Sequence, residues 1–277
     1  MDNRAIGVFD SGLGGLTVVR EIIKYLPNEK IVYFGDTARF PYGTRSTIEL
    51  RGFVFEIIDF LLSKDVKFIV IACNSASAAA LEAAQQYYDI PIIGVIEPGA
   101  RAAVQATRCR RIGVIGTQAT ISSGSYINAI KTLDAGVQIH PQACPDLADF
   151  VERNQITGPE VEDAVKGYLE PLARMGIDSL ILGCTHYPLL SETISKVAGD
   201  GVKLISSAEE TARELKESLT RKDSLRKEKT PPALEFISSG DENVFRKLGA
   251  RFLGRKIGKV ERVVFPLRER VVRVEKG

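Results

Sequence analysis

The chain has 277 residues, 44% of them hydrophobic and 26% charged, and its 37 Lys and Arg nearly balance 35 Asp and Glu for a net charge of +2. That composition excludes a disordered chain, a collagen-like repeat and a disulfide-stapled miniprotein, and it leaves no basic excess for gripping a phosphate backbone, so no major nucleic-acid partner is expected. The length suits two domains or one large α/β domain.

Short apolar strands alternate with amphipathic helices. Ala5–Phe9 reads as a strand, followed by a glycine-rich turn and a helix from Leu16 to Tyr25. A strand over Ile31–Phe34, a helix over Thr47–Leu62, a strand over Phe68–Ala72, a helix over Ala76–Gln86 and a strand over Ile90–Val95 follow. Continuous apolar strands separated by helices predict a parallel sheet covered on both faces.

The pattern then restarts. Arg111-Ile112-Gly113-Val114-Ile115 echoes Arg4 to Phe9, with an offset of 106 residues from Ile6 to Ile112. Residues 178–185 echo residues 67–74, with an offset of 111 from Cys73 to Cys184. Two similar offsets predict two halves of one design. After Ser206 a helix begins near Ala208, and the charged stretch toward Lys229 reads as a solvated linker before Pro231-Pro232. A strand over Leu234–Ser238 and a helix over Glu242–Phe252 close the pattern. The fold class expected is α/β, with two pseudo-symmetric lobes, each a mainly parallel sheet flanked by helices, and the active site in the cleft between them. The first domain covers 1–98 and is completed by 207–267; the second covers 99–206; a charged tail covers 268–277.

The apolar run Ala5–Phe9 is too short for a signal-peptide core, and no stretch reaches the ~18 uncharged apolar residues of a membrane span. A cytoplasmic location without membrane contact is expected, and cytoplasmic thiols are kept reduced. The four cysteines are Cys73, Cys109, Cys144 and Cys184, none in a CxxC pair, and only His140 and His186 accompany them. No zinc-ligand spacing results, so no metal is expected.

Asp10-Ser11-Gly12-Leu13-Gly14-Gly15-Leu16 follows the first strand, where backbone N–H groups at a helix start suit an anion. The dinucleotide fingerprint is broken, because Thr17 stands where its third glycine belongs, and no Walker Lys-Ser or Lys-Thr follows. Asp36 after the second strand is therefore a weak ribose acid. Cys73 and Cys184 each follow a strand, and each precedes a hydrogen-bonding residue, Asn74 or Thr185. One such thiol is ordinarily a small buried hydrophobe. Two at equivalent places in facing halves look into one cleft.

Three chemistries use such thiols. A disulfide switch suits neither the compartment nor the spacing. A nucleophilic Cys184–His186 pair leaves Cys73 idle. Two acid/base groups on opposite faces of one carbon employ both, one thiolate removing a proton and the other thiol returning one. Stabilising the carbanion of an amino acid without pyridoxal phosphate needs donors around the carboxylate. Asn74, Ser75 and Thr185 can donate, Asp10 can accept from the ammonium or orient Cys73, and His186 can assist Cys184. Tyr42 and the Gly43 amide, in Pro41-Tyr42-Gly43, fall at the same sheet edge. Thr117 and Thr120 do the corresponding work in the second half, and Glu152 taken alone reads as solvated surface. His140, Cys109 and Cys144 receive no role.

With these pieces in this order, the sequence resembles the glutamate racemases of the cofactor-independent aspartate/glutamate racemase superfamily. The resemblance rests on Asp10 to Leu16, on Gly35-Asp36-Thr37-Ala38-Arg39 with Pro41-Tyr42-Gly43, on Cys73-Asn74 and on Gly183-Cys184-Thr185-His186-Tyr187-Pro188. It implies interconversion of L- and D-glutamate for peptidoglycan, without a cofactor, in a homodimer. It implies Cys73 and Cys184 as proton carriers, Asp10 and His186 as their helpers and Glu152 as a further acid. It implies substrate binding by Asp10, Ser11, Pro41, Tyr42, Gly43, Asn74, Ser75, Thr117, Thr120, Thr185 and His186. Many members have Thr where this chain has Ser75; the hydroxyl donor survives. The rival readings are a racemase of another acidic amino acid such as aspartate, a noncatalytic two-lobed amino-acid-binding protein, and a nucleotide-dependent oxidoreductase disfavoured by the broken glycine pattern.

Overall fold

A computed structural model describes residues 2–228 and 230–265. The charged tail expected over 268–277 lies outside the described residues. The first part of the chain runs β1 (Ala5–Asp10), α1 (Leu16–Tyr25), β2 (Ile31–Gly35), α2 (Thr47–Ser63), β3 (Val66–Ile71), α3 (Asn74–Tyr87) and β4 (Ile92–Gly94). The second runs α4 (Ile96–Ala106), β5 (Arg111–Gly116), α5 (Gln118–Ser122), α6 (Ser125–Leu133), β6 (Gln138–Ala143), α7 (Asp146–Glu152), α8 (Pro159–Arg174), β7 (Ser179–Gly183), a 3-10 turn at Tyr187–Leu190, α9 (Ser191–Ala198) and β8 (Lys203–Ser206). The last comprises α10 (Ser207–Arg221), β9 (Leu234–Ser238), α11 (Glu242–Leu253) and β10 (Val260–Arg262).

Two sheets result, ordered β10-β9-β2-β1-β3-β4 and β6-β5-β7-β8. Every strand pair is parallel. The two-halves pattern is visible in the topology: β2-β1-β3-β4 and β6-β5-β7-β8 have the same order, with β1 matching β5 and β3 matching β7. In both sheets the chain reverses its direction of travel across the sheet beside the first strand of the half. Side chains following the C-terminal ends of β1 and β3, or of β5 and β7, therefore open into a crevice.

The local chemistry explains the elements. Val66–Ile71 and Ser179–Gly183 are buried throughout, as central parallel strands must be. Ser46 and Glu49 form a reciprocal cap that starts α2. Asp241 accepts from the Asn243 and Val244 amides at 2.8 and 2.9 Å and starts α11. Leu16, Val18, Val19 and Ile22 bury one face of α1, against which α10 packs; α10 also packs on α4 and so ties the helices of both sheets together.

Three expectations need correction. The strand expected over Ile90–Val95 is limited to Ile92–Gly94, because Ile96 already opens α4. The helix expected from Ala76 begins at Asn74, with Cys73 at its N-cap. The solvated linker is shorter than expected: α10 continues to Arg221, since Leu215 and Leu219 keep its apolar face covered. Beyond it Arg226 is buried, donating to the Asn28 and Thr230 carbonyls at 2.9 Å. Its amide donates to Glu29 Oε1 at 2.8 Å, while Glu29 Oε2 meets the buried Lys67 Nζ at 2.7 Å. Lys67 Nζ also donates to the Ser224 carbonyl at 2.7 Å. Arg226 thus fastens the segment to the first sheet, while Lys222, Asp223, Lys227 and Glu228 around it are exposed as expected.

Candidate active site

The crevice residues of both sheets meet. Asp10, the last residue of β1, is fully buried; its Oδ2 accepts from the Gly12 amide at 3.0 Å and its Oδ1 from the Thr185 hydroxyl at 3.2 Å. Burial raises the Asp10 carboxyl, while the His186 charge, the Gly12 and Gly15 amides and Thr185 oppose that rise. The turn after β1 is glycine-rich because it passes against the other half. A Cβ on Gly14 would stand 2.3 Å from Thr185 Oγ1 and 2.6 Å from His186 Nδ1; one on Gly15 would stand 2.5 Å from Asp10 Cβ. Only a residue without a side chain fits there.

The two thiols differ in their surroundings. Cys73 is buried and donates to Ser11 Oγ at 3.7 Å. Burial, reinforced by the Asp10 charge and opposed by the Ala76 amide and Ser11, pushes its thiol up to about 12. The second thiol belongs to the same contact, since Thr185, the residue after Cys184, is bonded to Asp10, the residue before Ser11. Cys184 Sγ lies 3.7 Å from His186 Nδ1, and His186 Nε2 lies 2.7 Å from Glu152 Oε1. Burial pushes the imidazole down, but its bonds to Cys184 and Glu152 outweigh this and hold it up at about 10. His186 is accordingly an imidazolium near neutral pH, donating through both ring nitrogens. Phe40 and Phe252 flank its ring at centroid distances of 5.6 and 5.4 Å.

Glu152 is not the solvated surface residue that its sequence position suggested. It ends α7, and its side chain, 24% exposed, is turned onto His186. The third group joins the halves through hydroxyls: Ser75 Oγ lies 2.9 Å from Thr117 Oγ1 and 3.2 Å from Thr120 Oγ1. Thr117 also caps α5. The Gly43 carbonyl accepts from the Ala119 amide at 3.0 Å, and a Cβ on Gly43 would stand 2.8 Å from Thr117 Cβ. Pro41, with a cis bond to Phe40, leads into this contact.

Tyr42 is nearly fully buried, and its hydroxyl donates to Asp36. Asp36 also accepts from Arg39 Nε at 2.6 Å and from Ser239 Oγ at 2.7 Å, which accounts for its carboxylate without any ribose. Sequence reasoning missed Tyr126 of α6, whose hydroxyl donates to Asn74 Oδ1 at 2.8 Å, and Phe252 of α11. Neither carries a local signal, because both reach the site only through the packing of distant helices. Cys109 is exposed and Cys144 buried, and all four cysteines are free. Among the described residues no cluster of three or more His, Cys, Asp or Glu has an arrangement that could hold a metal ion, and no helix is long and apolar enough to cross a membrane.

The family described as Asp/Glu/hydantoin racemase matches residues 6–215. A glutamate racemase from Mycobacterium ulcerans is 51% identical over 259 residues, spanning 93% of this chain and 95% of that relative. Among solved structures, the glutamate racemase isoform RacE1 from Bacillus anthracis superposes with a TM-score of 0.93 at 47% identity, covering 97% of this chain and 100% of that one. The glutamate racemase from Francisella tularensis in complex with D-glutamate superposes with a TM-score of 0.89 at 38% identity, covering 95% of this chain and 98% of that one.

Proposed function

The chain belongs to the Asp/Glu/hydantoin racemase family, and from that premise we propose that it is an isomerase that interconverts L- and D-glutamate by proton transfer between Cys73, the α-carbon and Cys184. The observation that carries this reading is the pair of buried thiols on either side of one contact between the halves: Cys73 beside Ser11, Asp10 bonded to Thr185, and Cys184 beside the His186–Glu152 pair.

The two halves supply complementary groups. Cys73, pushed up to about 12, holds its proton in the resting enzyme. Cys184 enters the step as the thiolate, its negative charge offset by the His186 imidazolium 3.7 Å away. The first turnover in one direction then has Cys184 removing the α-proton on its face while Cys73 delivers a proton to the other. The sulfur–hydrogen bond at Cys73 breaks as the new carbon–hydrogen bond forms, and the carbon is inverted. In the reverse direction the roles exchange. Asn74, Ser75, Thr117, Thr120, Thr185 and Ser11 surround the thiols with donors for the substrate carboxylates, and the Asp10 carboxylate suits the ammonium. Pro41-Tyr42-Gly43 contributes backbone, since the Tyr42 hydroxyl is committed to Asp36.

The same reading extends to a cytoplasmic homodimer that supplies D-glutamate for peptidoglycan, organised as a first domain of 1–98 with 207–267 and a second of 99–206. Four free cysteines suit a reducing compartment, and β9 lying beside β2 supports the return of the chain to the first domain.

The test is incubation of L-glutamate in deuterated buffer without pyridoxal phosphate, followed by chiral separation and mass analysis. D-glutamate carrying α-deuterium is expected. A folded protein that yields neither D-glutamate nor α-deuterium would overturn the assignment, and comparable turnover of L-aspartate would overturn the choice of glutamate.

A further inference from the structure

We propose that Tyr126 is a positioning residue that fixes which way the Asn74 amide faces, so that its Nδ2 is presented as a donor to the substrate; the proposal rests on the racemase reading above. Asn74 is 2% exposed, opens α3 and directly follows Cys73. Its amide is planar, with an acceptor and a donor pair on the same carbon, so a partner committed to one side decides what the other side offers. The Tyr126 hydroxyl donates to Oδ1 at 2.8 Å. Nδ2 is buried and has no hydrogen-bond partner. A buried amide N–H without a partner is costly, and its persistence beside a catalytic thiol points to a donor kept for the ligand.

Tyr126 is buried, and its hydroxyl gives its proton to Asn74 Oδ1. That bond disfavours the flipped amide, in which Nδ2 would face the phenol and Oδ1 would confront a substrate carboxylate. The phenol has little room to move: a Cβ on Gly99 would stand 3.4 Å from the Tyr126 hydroxyl. Tyr126 lies on α6, whereas Asn74 lies on α3. A helix of the second half thus sets the polarity of a binding group carried by the first.

Tyr126→Phe removes the hydroxyl and keeps the ring. The expected result is a rise in KM for both glutamate enantiomers of about three- to tenfold, the worth of one oriented hydrogen bond, with kcat changed by less than about twofold. In an Asn74→Ala background the same substitution should leave KM where Asn74→Ala alone put it, because Tyr126 acts through Asn74. An equal KM effect with and without Asn74, or no KM effect in an active enzyme, would overturn the proposal. A second readout needs no turnover. The Asn74 side-chain NH2 signals, identified in 15N-labelled protein by their loss in Asn74→Ala, should shift and broaden in Tyr126→Phe. Unchanged signals would overturn the orienting role, even if the protein proved to act on another substrate. Failure of the wild type to racemise glutamate would instead count against the racemase reading alone.

Discussion

Glu152 and His186 meet at 2.7 Å, and the opposite nitrogen of the same imidazole lies 3.7 Å from Cys184. A carboxylate at the end of α7 thus acts on a thiol after β7 through one ring, and the ring is held as a cation up to about 10. Because the folded protein binds this proton more tightly than the unfolded chain, the stability it contributes is complete below about pH 6.5 and is lost as the pH rises toward about 10. The unfolding free energy should fall through that window, with a limiting slope of about 1.4 kcal/mol per pH unit for one proton. Glu152→Gln should flatten the slope and lower racemisation. Denaturant titrations at a series of pH values check the first claim, and an undiminished slope in the variant would refute it.

The asymmetry of the thiols predicts how their variants fail. Under the proposed two-thiol mechanism, Cys73→Ser and Cys184→Ser should each lower racemisation by about a hundred- to ten-thousandfold, since each would lose the acid/base group on one face. Each variant should still exchange the α-proton of one enantiomer with solvent deuterium, without inversion, through the surviving thiol. The favoured enantiomer should be opposite in the two variants. Chiral separation with mass analysis distinguishes this outcome from equal, non-selective loss.

Alkylation offers an independent probe of burial. Cys109 is exposed, whereas Cys73 and Cys144 are buried and both pushed up to about 12. Iodoacetamide near pH 8 should label Cys109 first, because the thiolate is the nucleophile and access is required. Activity should survive that first label. Peptide mass mapping alongside activity assays checks the order, and early loss of activity with labelled Cys73 would contradict it.

Gly14→Ala tests the close approach of the first turn to the other half. The added methyl would stand 2.3 Å from Thr185 Oγ1 and 2.6 Å from His186 Nδ1. Displacing these groups by even about 1 Å should lower kcat about a hundredfold, while the circular dichroism spectrum stays that of the wild type. Near-normal kcat would mean that the turn yields without disturbing the site.

Far from the thiols, Glu29 and Lys67 form an ion pair with almost no side-chain exposure. Removing one partner strands the other charge. Glu29→Ala should cost about 3–5 kcal/mol in denaturant unfolding and release the segment around Arg226, whose amide Glu29 holds. Replacing both partners by apolar residues should recover part of that loss. A change below about 1 kcal/mol in Glu29→Ala would show that the pair is not holding the segment.

The sequence by itself determined what depends on short-range pattern. Continuous apolar strands specified parallel sheets, the offsets from Ile6 to Ile112 and from Cys73 to Cys184 specified two halves, and residues at or just past strand ends, Asp10, Cys73 and Cys184, fell at the crevice because strand direction fixes that edge. Tertiary structure alone decided what depends on distant segments meeting. Glu152 taken alone reads as surface until α7 swings it onto His186, Tyr126 has no signal until α6 lies against Asn74, and Arg226 reads as solvated until Glu29 and neighbouring carbonyls enclose it. A side chain's partners across 30 or 50 or 200 residues are set by packing (Glu152 to His186 spans 34, Asn74 to Tyr126 spans 52, Glu29 to Arg226 spans 197), and local periodicity carries no record of them.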